Sequence, residues 1–567
     1  MNTVPGSFQI RLSLMALALM PLLALPGAAR AQGTPPVIGS QNTVTADPPV
    51  SRPNEKPCVV QLFSGFQFVN YNIQDYQFTP SCPGPFEKIV FTADFNVTAG
   101  VQYDRTAIVD LAYVNIYFGT TPEPGTTLSP TWHVERDLTD YAALFGSAQT
   151  GHVILGNTVN STYTGVISGS AELEFYPAQW PAQAPPAADA VLPLTQSNGS
   201  GGINEPATLN TGADQLATTF TLPQNIERAY LDVISQSQIN DEFWYTCVPN
   251  DVATELESCG NTGFREAEIS IDGQPAGVAP VYPWIYTGGV DPFLWAPIPG
   301  VQTLNFVPYR IDLTPFAGLL SNGAQHTVAV SVFNADSYFS EAASLLLYLD
   351  HGSQQVTGAL TSNTIGAGPN PAVTENLQTD ASGDITGSVS VTSLRQFGVA
   401  GFVNTSHGRI DTQVQQSVNF RNVQNFTINA TTYDQDITQG TQVQSLTTTR
   451  QGPVFSETLE SFRYPLTMNI DVLVAADGSE SQTTTVSQEF DNNIVSPFFV
   501  SAVINKVNST DTLNFDAAGN FTGNTGAKSS QTYDSFNTLG QIYSCSLASE
   551  NNALTFASRG CTDQPSR

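Results

Sequence analysis

The chain has 567 residues, with 19 basic against 49 acidic side chains and a formal net charge of −30. That sign argues against nucleic acid as a partner, because phosphate contacts are made by clustered Lys and Arg. Hydrophobic content of 41%, with 44 Gly, 37 Pro and only 12% charged residues, describes a folded, turn-rich chain rather than a disordered one. A chain so poor in charges depends little on ion pairs, which suits an acidic medium.

Taken in order, residues 1–31 read as an export signal. Arg11 precedes an apolar core at 12–25, and Ala-Arg-Ala at 29–31 supplies a small-residue cleavage motif. The mature product is expected to be secreted or periplasmic, cut near Ala31. No later stretch approaches the apolar length of a membrane span. Residues 32–56, rich in Pro, Thr, Gly and Asn, read as a flexible leader. Six cysteines fall in three local pairs, Cys58 with Cys82, Cys247 with Cys259 and Cys545 with Cys561. Pairing between neighbours as disulfides suits an exported chain. Neither C-x-x-C spacing nor a His pair accompanies them, so no metal and no cofactor is expected.

From 57 to 190, short β-branched or alternating runs follow one another at 88–98, 102–119, 134–145, 152–157 and 163–175. Their spacing predicts a sandwich or jelly roll. The run at 102–119 fills both parities with Val, Ile, Leu and Ala, and so predicts one long strand buried on both faces. An Ala/Pro-rich joint at 177–193 leads into a second β unit, 191–353. Strands are expected there at 218–222, 226–235, 265–272, 309–313, 326–333 and 344–350, with a turn at Asp272-Gly273. Residues 354–567 shift to Thr, Ser, Gln, Asn and Val in period-2 runs such as 466–474, and offer no nameable site. The expected fold class is all-β: two packed jelly-roll-type sandwiches followed by a C-terminal β-rich domain.

Asp104-Arg105 stands directly before the 106–119 run. On spacing alone the pair is a solvated turn; borne on a rigid strand, it can instead be aimed into a cleft. It keeps distinctive company: Gln102-Tyr-Asp-Arg-Thr-Ala107, Thr121-Pro-Glu-Pro124, Trp132-His-Val-Glu-Arg-Asp137, Asn240-Asp-Glu-Phe-Trp-Tyr245, Gly263-Phe-Arg-Glu266, Tyr286-Thr-Gly-Gly289 running on to Trp295, and Leu349-Asp-His351. In this order the motifs resemble the peptide-N-glycosidase A family, amidases that remove N-linked glycans from asparagine, over about 57–353. More distantly, the first unit resembles the peptide-N-glycosidase F family, two jelly rolls with the active site at their interface. That resemblance implies that Asp104 is the essential carboxylate. The family's second acidic position falls near Asn157, where the carboxylate is not kept. For the third, Glu242 is the nearest acid and Glu266 the alternative.

Hydrolysing a glycan–asparagine amide calls for an activated water, a stabilised oxyanion and a proton for the departing amine. Asp104 and Glu242 are the candidates for water and proton. Arg105 and Arg265 either hold the oxyanion or pair with neighbouring acids. Trp244 and Tyr245, like Trp295, are either a sugar platform or core plugs. Glu123, Trp132, Asn157, Tyr286, Gly288 and Gly289 complete the expected substrate-binding set, the glycines for close backbone approach. No Gly-x-Ser-x-Gly elbow competes with this reading. The expected function is an exported amidase acting on N-linked glycoproteins or glycopeptides, with an acidic optimum and tolerance of core fucose implied by the resemblance. The alternative class is a non-catalytic carbohydrate-binding jelly-roll protein.

Overall fold

The structure, a computed structural model, describes residues 35–178, 185–197, 203–204 and 206–562. The export signal expected at 1–31 lies outside them. Eight strands make the first sandwich: β1 (Cys58–Phe68), β2 (Gln74–Phe78), β3 (Phe86–Val97), β4 (Thr106–Leu111), β5 (Val114–Thr120), β6 (Thr131–Asp137), β7 (Gln149–Leu155) and β8 (Ile167–Pro177). They form two four-stranded antiparallel sheets, ordered β1-β8-β3-β6 and β2-β7-β4-β5, which is the strand order of a jelly roll.

One expectation is corrected here. The 102–119 run is a hairpin rather than a single strand, because Ala112 and Tyr113 take φ of 51° and 64° and reverse the chain in two residues between Leu111 and Val114. Such a turn normally advertises itself with Gly or Asn. Here Tyr113 N–H donates to Asp110 Oδ1 at 3.1 Å and Ala112 N–H to Thr150 O at 2.9 Å, which holds the strained pair without either. Burial on both faces does hold: every residue of β5 and five of the six in β4 are buried.

After the joint come β9 (Ala190–Pro193) and the two-residue pair β10 (Gln196–Ser197) and β11 (Ile203–Asn204). The second sandwich comprises β12 (Ala207–Thr211), β13 (Leu216–Thr221), β14 (Ile226–Ser237), β15 (Glu266–Ile271), β16 (Gln274–Pro280), β17 (Tyr309–Asp312), β18 (Gln325–Phe333) and β19 (Asp336–Leu349). Its sheets run β12-β19-β14-β17 and β13-β18-β15-β16, with β9 added beside β19. This is the same jelly-roll permutation a second time. Two long loops interrupt it, 238–265 and 281–308, and both reach the seam between the sandwiches. That seam is closed by Phe118 against Phe306 at 5.3 Å, by Tyr141 donating to Asp232 at 2.7 Å, and by Arg310 bridging Asp140 and Asp232.

The remaining strands are β20 (Thr357–Asn363), β21 (Ala372–Thr379), β22 (Ile385–Thr405), β23 (Gly408–Asn429), β24 (Thr432–Gln451), β25 (Val454–Val474), β26 (Glu480–Val495), β27 (Val500–Phe515), β28 (Phe521–Asn537), β29 (Ile542–Glu550) and β30 (Ala553–Ala557). They make one eleven-stranded antiparallel sheet, whose strands from β22 to β30 are joined neighbour to neighbour. Its inner face is laid on the second sandwich, so that Val418, Phe420, Tyr464, Leu466 and Val486 share one core with Phe264, Tyr282 and Trp284. Residues 35–52 run as a strap over the first sandwich. Gly39 and Ser40 pair with Leu554, Ala46 N–H donates to Gln531 at 2.6 Å, and Arg52 is ion-paired with Glu135 and Glu174. All three cysteine pairs are disulfides between neighbours, Cys58–Cys82, Cys247–Cys259 and Cys545–Cys561. Among the described residues no helix is long and apolar enough to cross a membrane.

Candidate active site

Asp104 sits half-buried at the mouth of β4, where the first sandwich meets the 281–308 loop of the second. Its Oδ2 accepts the Gly288 N–H at 2.9 Å, and its own N–H lies 3.4 Å from Glu123 Oε2. Glycine at 288 leaves room for both carboxylates in this approach. A Cβ there would lie 2.3 Å from Glu123 Oε2 and 3.1 Å from Asp104 Oδ1. Glu242, from the other long loop, completes the cluster: Asp104 and Glu123 both act on its charge.

Backbone geometry fixes each member. Arg105 N–H donates to Thr121 Oγ1 and Thr121 N–H returns to Arg105 O, both at 2.9 Å, which ties the Asp104 and Glu123 segments side by side. Thr287 Oγ1 then donates to Thr121 O at 2.8 Å across the seam. The Tyr286–Trp295 loop is braced from within, since Trp295 Nε1–H donates to Gly289 O at 2.9 Å and Gly289 N–H to Tyr286 O at 2.9 Å. Tyr286 donates its hydroxyl to Ser237 O at 2.6 Å, at the end of the strand from which the Glu242 loop departs. The Cys247–Cys259 bridge closes that loop on its far side.

The electrostatics separate the three acids. Burial raises Glu123 to about 7, and the Asp104 charge adds to it. Burial raises Glu242 to about 7 as well, with Asp104 and then Glu123 adding to it. Burial also raises Asp104, but the Gly288 N–H and the Arg105 guanidinium pull it back. Asp104 is therefore the member whose ionised form the site supports, and its charge adds to burial in favouring the protonated form of the other two. Arg105 donates to Asp104 O at 3.2 Å and lies 5.8 Å over the Tyr103 ring, while its Nε is buried without a hydrogen-bond partner among the described residues.

The structure brings Asp104, Arg105, Glu123, Glu242, Tyr286, Gly288 and Gly289 together, with Trp295 as their brace. It does not bring Arg265 there. That guanidinium is buried 2.8 Å from Asp241 and donates to three carbonyls, so it anchors the turn preceding Glu242 rather than facing the acids. Glu266 is likewise occupied, ion-paired with Arg395 at 2.6 Å. Trp244 and Tyr245 are fully buried, Trp244 against Phe420 of the C-terminal sheet. Trp132 stacks on Phe95 at 5.4 Å and lines a separate cavity of about 560 Å³ beneath the leader strap. Asn157 is buried, donating to Phe68 O and Gly165 O. The β4–β7 register, Ala107 opposite Leu155, carries it toward Arg105. Tyr103, beside Asp104, is 44% exposed, edge-on to Tyr163 and with Arg105 over its ring. Sequence reasoning passed over it, and over the Thr121–Thr287 link, because single Tyr and Thr residues carry no motif. One group among the described residues brings possible metal ligands together, Glu227, Asp350 and His407. It lies at the opposite end of β14 from Ser237, and its two imidazole nitrogens face different carboxylates.

Comparison with known proteins adds the following. A family model described as peptide N-acetyl-beta-D-glucosaminyl asparaginase amidase A matches residues 44–364. The chain is 30% identical over 425 residues to peptide-N4-(N-acetyl-beta-glucosaminyl)asparagine amidase A of Prunus dulcis, spanning 69% of each. Among solved structures, PNGF-II is 14% identical with a TM-score of 0.36, over 52% of this chain and 66% of that one. PNGase F, a glycosylasparaginase from Flavobacterium meningosepticum, is 14% identical with a TM-score of 0.34, over 52% of this chain and 96% of that one.

Proposed function

The chain belongs to the peptide N-acetyl-beta-D-glucosaminyl asparaginase amidase A family, and from that premise we propose that it hydrolyses the amide between asparagine and the first N-acetylglucosamine of N-linked glycans, releasing the glycan and leaving aspartate. The observation that carries the reading is the meeting of Asp104, Glu123 and Glu242 at the seam of two jelly rolls, with a backbone N–H aimed at the first. Asp104 is the carboxylate of the three, with the Gly288 N–H and the Arg105 guanidinium opposing the upward pull of its burial. It orients a water and takes its proton as the oxygen adds to the amide carbon. Glu242, held protonated on the facing domain, gives its proton to the nitrogen as the C–N bond breaks. Arg105 balances the charge that develops on the carbonyl oxygen. Glu123 fixes the Asp104 backbone, and Tyr103 offers its exposed face to a sugar ring. The export signal read at residues 1–31 supports action outside the cytoplasm, and two acids raised to about 7 support a working range on the acidic side.

Incubating the purified protein with an N-glycopeptide and weighing both products tests this. Conversion of the glycosylated asparagine to aspartate is expected. A peptide that keeps one sugar would make the enzyme a glycosidase, and unchanged substrate would favour a carbohydrate-binding protein.

A further inference from the structure

Both loops that build the site are irregular, so their buried N–H and C=O groups need partners from outside the loop. The C-terminal sheet supplies several of them, mostly through carboxamide side chains. On β23 the inward row reads Val414, Gln416, Val418, Phe420, Asn422, Gln424 and Phe426, all buried, with carboxamides set among hydrophobic side chains. Asn422 Nδ2 donates to Tyr245 O and Gln424 Nε2 to Cys247 O, both at 2.8 Å. Gln435 Nε2 reaches Thr246 O at 3.2 Å and is tied to Gln424 at 2.7 Å. Three consecutive carbonyls just after Glu242 are thus held by the sheet.

The Gly288 loop is gripped in the same way. Gln488, fully buried on β26, accepts the Val301 N–H at 2.9 Å and donates to Pro283 O at 2.6 Å, clasping the loop at both ends. Ser509 donates to Leu294 O at 2.6 Å, and Asn552 donates to Phe293 O and Ala296 O. These partners are neutral. A Lys or Arg at the same points would favour ionised carboxyls next door; an amide holds the backbone and leaves Glu242 protonated.

We propose that Asn422, Gln424 and Gln488 are positioning residues of the reaction: the C-terminal sheet is the template that sets Glu242 and Gly288 N–H against Asp104. This rests on the amidase reading above. Gln488 is the sharpest point of attack, because one side chain of the sheet clasps both ends of the Gly288 loop.

The test compares Gln488→Leu, Gln488→Glu and the control Gln416→Leu with the full-length wild type, on an N-glycopeptide and by thermal melting. Gln416 is buried on the same face but donates to Val278 O on β16 and to the Tyr309 hydroxyl on β17, and so holds strands rather than either loop. Gln488→Leu is expected to lower kcat about 30-fold with KM little changed, since displacing reacting groups by about an ångström costs rate rather than binding. Gln416→Leu should lower Tm yet keep kcat within about twofold of wild type. Gln488→Glu makes both bonds only when protonated, so its activity should fall away at lower pH than that of wild type. If all three variants keep wild-type kcat, or lose it in proportion to Tm, the proposal is overturned. If the wild type itself cleaves no glycopeptide, the amidase reading fails instead. The crystal structure of Gln488→Leu then decides for the sheet: Gly288 N withdrawn from Asp104 supports it, and Gly288 N unmoved overturns it.

Discussion

Gly288 and Asp104 lie on different sandwiches, and the backbone N–H of one donates to the carboxylate of the other at 2.9 Å. The site therefore exists only while the seam is closed, and either side can be perturbed separately.

Gly288→Ala perturbs the loop side. The backbone there is not in the left-handed region, so Ala fits the chain, but its Cβ would meet Glu123 Oε2 at 2.3 Å. We expect kcat/KM to fall about 100-fold through displacement of the acids, with Tm nearly unchanged. Steady-state kinetics alongside calorimetry check this.

Asp104→Asn perturbs the other side. Activity should fall at least about 1000-fold, as expected when a group handling the attacking water is lost, while the fold is kept. The same variant should lower the pKa of Glu123 and Glu242, because it removes the charge that adds to burial in raising them. Both should stay above ordinary carboxyl values, since burial is the larger cause. Carbon-detected NMR titration of the two carboxyls reads this directly.

Stability should be greatest near pH 4–5 and decline toward pH 8. Glu123, Glu242, Glu266 and Asp291 are raised to about 7 and Asp47 to about 6, each from an unfolded value near 4, with burial the first cause in every case. Between those values the folded chain binds more protons than the unfolded one, so stability falls as pH rises through the window. His133, raised to about 9 by Asp94 and Glu135 against its burial, pulls the same way at higher pH. Glu135, Asp272 and Asp350 are lowered, and their contribution is lost only below about pH 4. Urea unfolding across pH 3–9 measures the profile.

Asp511→Asn should flatten part of that decline. Asp291 and Asp511 face each other between the Gly288 loop and β27, and each has an Oδ2 that is buried without a hydrogen-bond partner among the described residues. An amide at 511 can donate to Asp291 without a shared proton. The variant is expected to be more stable than wild type at pH 8 and no more stable at pH 5, with melting temperatures deciding.

Arg265→Ala would leave Asp241 buried and unpaired directly before Glu242. A loss of about 3–5 kcal/mol is expected from breaking a buried pair on one side. Arg265→Ala with Asp241→Asn should recover part of it, and equilibrium unfolding of the single and double variants tests this.

Much of the fold could be read from the sequence because period-2 patterning and turn residues carry jelly-roll strands plainly, as at 326–333 and at the Asp272-Gly273 turn. The β4–β5 reversal could not, because Ala112 and Tyr113 are poor turn formers held in place by Asp110 and Thr150, which lie outside any local pattern. In the candidate site, Asp104 and Glu242 were singled out through the motifs around them. Arg265 was legible as a charged residue but not as a buried anchor, since its partner Asp241 is 24 positions away. The carboxamides of β23 and β26 escaped for a general reason: Asn and Gln read as outward-facing, and only the loops they hold make them inward residues.

The strap at 35–52 has a consequence for how the molecule comes apart. It ties the first sandwich to the last strand of the chain through Leu554 and to β28 through Gln531, while β5 and the 303–305 segment tie the first sandwich to the second. With the C-terminal sheet laid on that second sandwich, the three parts close into a ring. In a ring no part is terminal, so none can peel away without breaking two interfaces at once, and the acids at the seam are guarded by contacts far from them.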